Sequence, residues 1–306
     1  MNDRQLVLGW ALVAAALPAL IAVGCGQSRS AQRSLPLVSA AHASAATALV
    51  RRAAALTLAA SAGVELQLNG ASAFGPSHAP VLGSGEFDFP SASGSESVDL
   101  GETGGQEPGN ERVLFLSQRV YLQPKATGTS VLPRGREWVS AQLTGSESVS
   151  TNFPAFALQA QSIDPQLPLS ELAGGAVAAT PIAGASIGGL PARGFAVTVD
   201  LGQALDRLTG ASAGALGQAI QTELAPPTGA GSPRIAIDAW VGLEGRIARL
   251  RIATPDSGTG TATMTLCCYG APVAVSAPAS ARVIDVSSLT PSGERENNGG
   301  GDSDGG

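Results

Sequence analysis

Residues Arg234 to Leu250 read RIAIDAWVGLEGRIARL. Two arms, Arg234–Val241 and Arg246–Ile252, bracket Gly242-Leu243-Glu244-Gly245, which reads as a β-hairpin with a tight glycine-bearing turn. A chain that returns within four residues sets its two strands antiparallel. Asp238 and Trp240 share one strand face, as do Arg249 and Arg251, and a surface ladder is the plain reading of both pairs.

Outward from this hairpin the period-two signal recurs. Upstream, Phe195, Val197, Val199 and Leu201 alternate with Ala196, Thr198 and Asp200, and Val64, Leu66 and Leu68 alternate with Glu65, Gln67 and Asn69. Phe87 and Phe89 flank Asp88 in the same way. Arg112 to Leu122, RVLFLSQRVYL, reads as one strand, with Val113, Phe115 and Tyr121 on one face and Leu114, Leu116, Val120 and Leu122 on the other. A strand apolar on both faces needs cover on both, or one face toward a core and one toward an apolar ligand. Trp138 lies in a short segment, EWVSA, and Ala262–Tyr269 with Val273–Val286 complete the sheet. Helical spacing is expected from Ser39, the cap, to Leu56, with Ala41, Ala45, Ala48, Leu49 and Arg52 on one side. Further helices are expected over Pro165–Leu172, with Leu167, Leu169 and Leu172 facing inward, over Leu201–Leu208 capped by Asp200, and over Ala215–Leu224 after a break at Gly210–Gly214. The fold class is α+β.

Composition limits the function classes. The chain has 306 residues, 14% charged and 4% aromatic, a formal charge of −6, and Lys125 as its one lysine. No basic face is left to neutralise a phosphate backbone, so nucleic acid is an unsuitable partner. Two His and three Cys leave few side chains for acid/base, metal or thiol chemistry. No cofactor and no metal site is expected, and the chain does not read as an enzyme. Two G-x-S-x-G strings, around Ser186 and Ser212, match a nucleophile elbow in letters only, because Pro181 interrupts the segment before one and a helix precedes the other. His42 in the first helix and His78 in GPSHAP make poor general bases for either serine. A hydrolase would need ester turnover that vanishes on Ser→Ala substitution. Cys267 and Cys268, adjacent in an extended strand, should point to opposite faces; in an exported protein they either form a strained vicinal disulfide or stay free, the favoured reading being one buried and one partly exposed, with a redox role as the lesser alternative.

The N-terminus carries an address. Leu6 to Gly24, LVLGWALVAAALPALIAVG, is an apolar run preceded by MNDRQ and followed by Cys25. This reads as a lipoprotein signal over 1–24, with cleavage between Gly24 and Cys25 and lipidation of Cys25. Gly24 is small enough for the peptidase site, and the thiol of Cys25 can be alkylated by diacylglycerol. An uncleaved transmembrane anchor is the alternative, since such a run nearly spans a bilayer, although Pro18 counts against it; ordinary secretion is a third. Residues 25–38 follow as a flexible linker, whose Arg29 and Arg33 lie near the lipid surface. The body is expected over 39–290, with an acidic loop at 91–110 that holds a short strand at Val98–Leu100. Glu96, Asp99, Glu102 and Glu107 in that loop lack the dense spacing of a calcium site. A polar tail, 291–306, cannot bury enough surface to order itself.

The order of these pieces resembles the LppX/LprAFG family of bacterial lipoproteins. Ile187–Leu201, IGGLPARGFAVTVDL, is similar to its strand-turn-strand; Arg234–Leu250 is similar to its hairpin with Asp-x-Trp; Met264–Asp285, MTLCCYGAPVAVSAPASARVID, is similar to its final strand. With Cys25, a first helix and an RVYL-like strand before Trp138, the likeness covers most of the mature chain. It is weak from Phe74 to Asn110 and absent in the tail. The resemblance implies a strongly curved antiparallel sheet, half a β-barrel, with helices covering its concave face as in periplasmic lipoprotein carriers. It also implies an acylated lipid or similar apolar ligand, held between sheet and helices. Carrying two sixteen-carbon chains, as of palmitate, through water would cost on the order of 25 kcal/mol. Candidate cavity residues are Leu49, Leu66, Leu114, Leu116, Val120, Leu122, Phe195, Val197, Ile235 and Ile237. Small helix side chains would leave such a groove open; a fully packed core agrees equally with the same residues. The functional expectation is a lipoprotein on the extracytoplasmic face of the cell membrane, binding and carrying a lipid in the envelope. The alternative is a ligand-free structural or interaction module, whose protein partner the residues do not name.

Overall fold

The computed structural model describes residues 40–69, 80–99, 110–117, 119–124, 132–142, 164–208, 217, 233–254 and 260–285. Signal, linker, Gly24, Cys25, tail, His78, Ser212 and, apart from Gly217, the expected Ala215–Leu224 helix lie outside them.

Twelve strands form one unclosed, curved sheet. They are β1 (Ser61–Asn69), β2 (Val81–Asp88), β3 (Ser93–Asp99), β4 (Asn110–Leu116), β5 (Arg119–Gln123), β6 (Trp138–Gln142), β7 (Ala176–Ile187), β8 (Leu190–Asp200), β9 (Arg234–Val241), β10 (Ile247–Thr254), β11 (Gly260–Cys267) and β12 (Val283–Asp285). The helices are α1 (Ala40–Leu58), α2 (Gln166–Gly175), the short α3 (Leu201–Asp206) and a one-turn 3-10 helix at Ser280–Arg282. The spatial order is β12-β6-β5-β4-β3-β2-β1-β11-β10-β9-β8-β7. Two antiparallel meanders, β1 to β6 and β7 to β11, thus join where β11 returns beside β1. β12 alone runs parallel to its neighbour, β6.

One face of this sheet carries the core. Register places Leu68, Leu66 and Val64 of β1 opposite Ala262, Met264 and Leu266 of β11, and carries the same face through Leu250 and Ile252 to Ala239 and Ile237, then to Phe195 and Val197. On the other side it runs through Phe87, Val98, Val113, Phe115, Val120 and Val139. α1 and α2 lie on this inner side. The buried stripe of α1 is Ala46, Val50, Ala53, Ala54 and Thr57, at the spacing of one helix face. The expected side was wrong: Ala45, Ala48 and Arg52 are exposed and Leu49 is half-buried. In a helix where nine of nineteen positions are alanine, apolar spacing carries little phase information, and Val50 with Thr57 decides the face. α2 buries Leu167, Leu169 and Leu172, as expected, and Asp200 caps α3 by accepting the N–H of Gln203 at 3.0 Å.

Thr57 closes one end. Its hydroxyl donates to Ala53 O at 2.9 Å and accepts from the N–H of Ile247 at 3.0 Å, tying α1 to β10 inside the core. Thr57→Val keeps the shape and strands that N–H, so it should destabilise by about 1–3 kcal/mol. Thr47→Val, which loses only a bond to Ala43 O at 2.8 Å on the same helix, should change little. Denaturant titration of both variants checks the contrast.

Several sequence expectations need correction. Arg112–Leu122 is two strands, β4 and β5, because Ser117 takes a φ of +56° and turns the chain back. The expected loop 91–110 contains a full strand, β3, in mid-sheet. Sequence reading reaches β7 only at Ile187, where the strand-turn-strand resemblance begins, since its alanines and Pro181 give no period-two contrast. Of the expected strand Val273–Val286, residues 273–279 form a strap outside the sheet, Ser280–Arg282 make one 3-10 turn, Val283–Asp285 join the sheet, and Val286 lies outside the described residues.

Candidate ligand-binding face

The hairpin turn at Ser117 resets the parity of the candidate residues. Val113, Phe115, Val120 and Leu122 face inward, whereas Leu114 and Leu116 face outward with Tyr121 and Arg119 opposite them. Leu114 is buried, but on the outer side. It lines a groove of about 290 Å³ with Trp138, Glu86, Ser95 and Arg112 beneath the strap Ala274–Ala279. This groove lies on the opposite side of the sheet from the gap that the family resemblance implies. Leu114 and Leu116 are therefore withdrawn as lining residues of an inner cavity.

The other eight candidates gather on the inner side, in two states. Leu66, Val120, Phe195, Val197 and Ile237 are buried in one contiguous core with α1 and α2. Leu49, Leu122 and Ile235 pack against that core yet remain half-exposed. Register explains the difference. β1, β3, β5, β8 and β10 end, and β2, β4, β6, β9 and β11 begin, at one common rim of the sheet. Leu122 and Ile235 lie there, and so do Ile252, Ala262 and Ile284, which sequence reading missed. Their alternation was visible in the sequence; their shared end depends on the pairing order. The opposite end is closed by the last turn of α1, where Arg246 donates to Leu56 O at 3.3 Å and stacks 5.1 Å from the Tyr269 ring, whose hydroxyl donates to Ile247 O.

The inner face is not wholly apolar. Glu96 in β3 faces inward opposite Gly85 and Val113, is 2% exposed, and has, among the described residues, no hydrogen-bond partner for either carboxylate oxygen. Burial, and then the nearby Asp164 charge, push its pKa up to about 8. Asp164, which precedes α2 and accepts the Gln166 N–H at 2.9 Å, is pushed up to about 6 by burial, against the effect of that bond. Glu111, also on the inner face of β4, is raised by burial. Glu96 was read as part of a solvated loop, since nothing in GSESV announces an inward acid.

Outside, the expected ladder is present. Arg251 pairs with Asp238 at 2.5 Å and lies 5.8 Å from the Trp240 ring, and Arg249 reaches Thr265 at 3.4 Å. Ser186 sits exposed in the edge strand β7, in a strand-turn-strand hairpin rather than a strand-to-helix elbow. Among the described residues, no three His, Cys, Asp or Glu side chains gather as a metal-holding group, and no helix is long and apolar enough to cross a membrane.

No family model and no curated protein matches the chain. Solved structures do. The chain is similar to LprF from Mycobacterium bovis, at 16% identity over 77% of this chain and 98% of that one, with a TM-score of 0.43. It is similar to the Mycobacterium tuberculosis lipoprotein LppX, at 12% identity over 76% and 99%, with a TM-score of 0.43. The Pseudomonas aeruginosa MucA/MucB complex matches at 11% identity over 77% and 59%, with a TM-score of 0.32.

Proposed function

We propose that the protein is a lipid-anchored, extracytoplasmic lipoprotein, tethered through Cys25, which binds an apolar molecule at the open rim of its curved sheet. One observation supports this reading above the rest. Apolar side chains on three separate parts of the sheet, Leu122, Ile235 with Ile252, and Ile284, remain half-exposed at the same rim and pack against the buried core, with Glu111 of β4 as an acid among them on the inner face. Isolated exposed apolar residues are ordinary, but a set contiguous with the core is a surface that a ligand can extend. The tether rests on the sequence: Gly24-Cys25 after the apolar run. Two or more acyl chains hold a protein on a membrane where one does not.

Two measurements test the proposal. Cells fed labelled palmitate should yield labelled protein, and Cys25→Ala should abolish the label and leave uncleaved precursor; label persisting in that variant removes the tether. Full-length protein extracted from membranes and examined by native mass spectrometry should retain a non-covalent lipid. Repeated recovery of empty protein counts against ligand binding. It would favour the second reading, a structural or interaction module, which the complete burial of Val120, Val197 and Ile237 supports.

A further inference from the structure

Cys267 and Cys268 do not point to opposite faces. Cys267 ends β11, and Cys268 takes a φ of +55°, a left-handed conformation that turns its side chain back. The two Sγ atoms consequently stand 3.0 Å apart, and both residues are exposed. The expectation of one buried and one partly exposed thiol is corrected by this turn. A non-glycine residue in that backbone region is uncommon and costs energy. Here the neighbouring structure holds it: Gly270 N–H donates to Ser61 O at 3.0 Å, and Ser61 Oγ donates to Ala271 O at 2.5 Å.

We propose that Cys267 and Cys268 form a redox-modification site, a vicinal dithiol that closes reversibly to a disulfide by exchange with a disulfide oxidant. The reaction balances in two steps. The Cys268 sulfur, as thiolate, attacks one sulfur of the oxidant, forming a mixed disulfide and expelling one thiolate. Cys267 then loses its proton to solvent and attacks Cys268 Sγ, forming the intramolecular bond and expelling the second thiolate. Two protons and two electrons leave the protein, and the oxidant becomes two thiols. In the reduced protein the hydrogen bond with Cys268 and partial burial push the Cys267 thiol up to about 11, so Cys267 keeps its proton and does not make the first attack; the mixed disulfide at Cys268 removes that hydrogen bond before Cys267 acts. Exposure gives the oxidant access to the first sulfur.

The product is easily reversed. Adjacent Cα atoms lie about 3.8 Å apart across a trans peptide, shorter than the roughly 4.4–6.8 Å that unstrained disulfides span, so a bond between neighbours is strained. Strained, exposed disulfides are the readily reduced ones. Closure would also lock the turn from which the strap Ala271–Ala279 leaves the sheet to cover the outer groove. The proposal is independent of the ligand reading.

The test uses full-length protein and oxidised glutathione as the probe. Trypsin releases both thiols in one peptide, Ile252–Arg282, which excludes Cys25. After glutathione treatment this peptide should be lighter by two hydrogens and refuse a maleimide; after dithiothreitol it should accept two. Cys267→Ala should stop at the mixed disulfide, carrying glutathione on Cys268. Two maleimides on the oxidised peptide, a link between two chains, or an unmodified Cys267→Ala protein would each overturn the proposal.

Discussion

Glu96→Gln should leave stability nearly unchanged at pH 5 and raise it at pH 9 by an amount on the order of 5 kcal/mol. The cause is linkage. Glu96 is sealed in the sheet with no hydrogen-bond partner among the described residues, and its pKa rises from 4.5 to about 8 in the fold. Below the lower value both folded and unfolded chains hold the proton, and stability is full. Between the two values the unfolded chain releases its proton while the folded chain keeps it. Stability therefore falls by about 1.4 kcal/mol per pH unit, until the folded protein ionises as well. Asp164 adds the same trend between 3.8 and about 6. Glutamine has the shape of the neutral acid and nothing to ionise. Denaturant unfolding from pH 5 to 9 should give diverging curves, with the wild type declining. Parallel curves would mean that Glu96 ionises inside the fold at little cost. The predicted loss is large beside the roughly 5–15 kcal/mol that holds a typical domain together, so alkaline conditions should be the protein's weak side.

That acid illustrates what local sequence leaves out. The hairpin at Arg234–Thr254, the alternation in β1 and β8, the inward leucines of α2 and the Asp200 cap are local facts, set by period and by the chemistry of single residues, and they were legible. Glu96 was not, because its burial follows from β2 and β4 closing over β3 on both sides, a consequence of pairing rather than composition. Its strand is SGSESVD, whose small residues allow that closeness: a Cβ on Gly94 would collide with the Phe87 ring and lie 2.7 Å from Glu86 O. The division of Arg112–Leu122 was hidden for a different reason. A continuous apolar run has no contrast by which to see a reversal, and one left-handed serine moves Leu114 and Leu116 to the far side. The family resemblance pointed to a curved sheet, and that holds. It also pointed to a gap beneath the helices, where the described residues form one contiguous buried core with its exposed margin at one rim.

That margin decides between carrier and module, and a paired substitution there should separate them. Ile235 and Ile252 lie on neighbouring strands at the rim, both facing inward and both half-exposed. Changing both to Asn should abolish lipid retention in native mass spectrometry. Each side chain is already partly in water, so the stability cost is that of a fraction of a buried isoleucine, about 1 kcal/mol per site. Two controls bracket the result. Ile237→Val trims a fully buried neighbour on the same face; it should cost about 0.5–1.5 kcal/mol and leave the lipid in place. Arg251→Gln breaks the outer ladder with Asp238 and should affect neither property much. If the double variant keeps its lipid while remaining folded, the β9–β10 part of the rim is not where the ligand sits. Binding must then depend on a surface away from β9 and β10. If the wild type carries no lipid at all, the same variant becomes a test of the module reading: polar residues at the rim should then abolish crosslinking to a protein partner, because the apolar margin would be the contact surface.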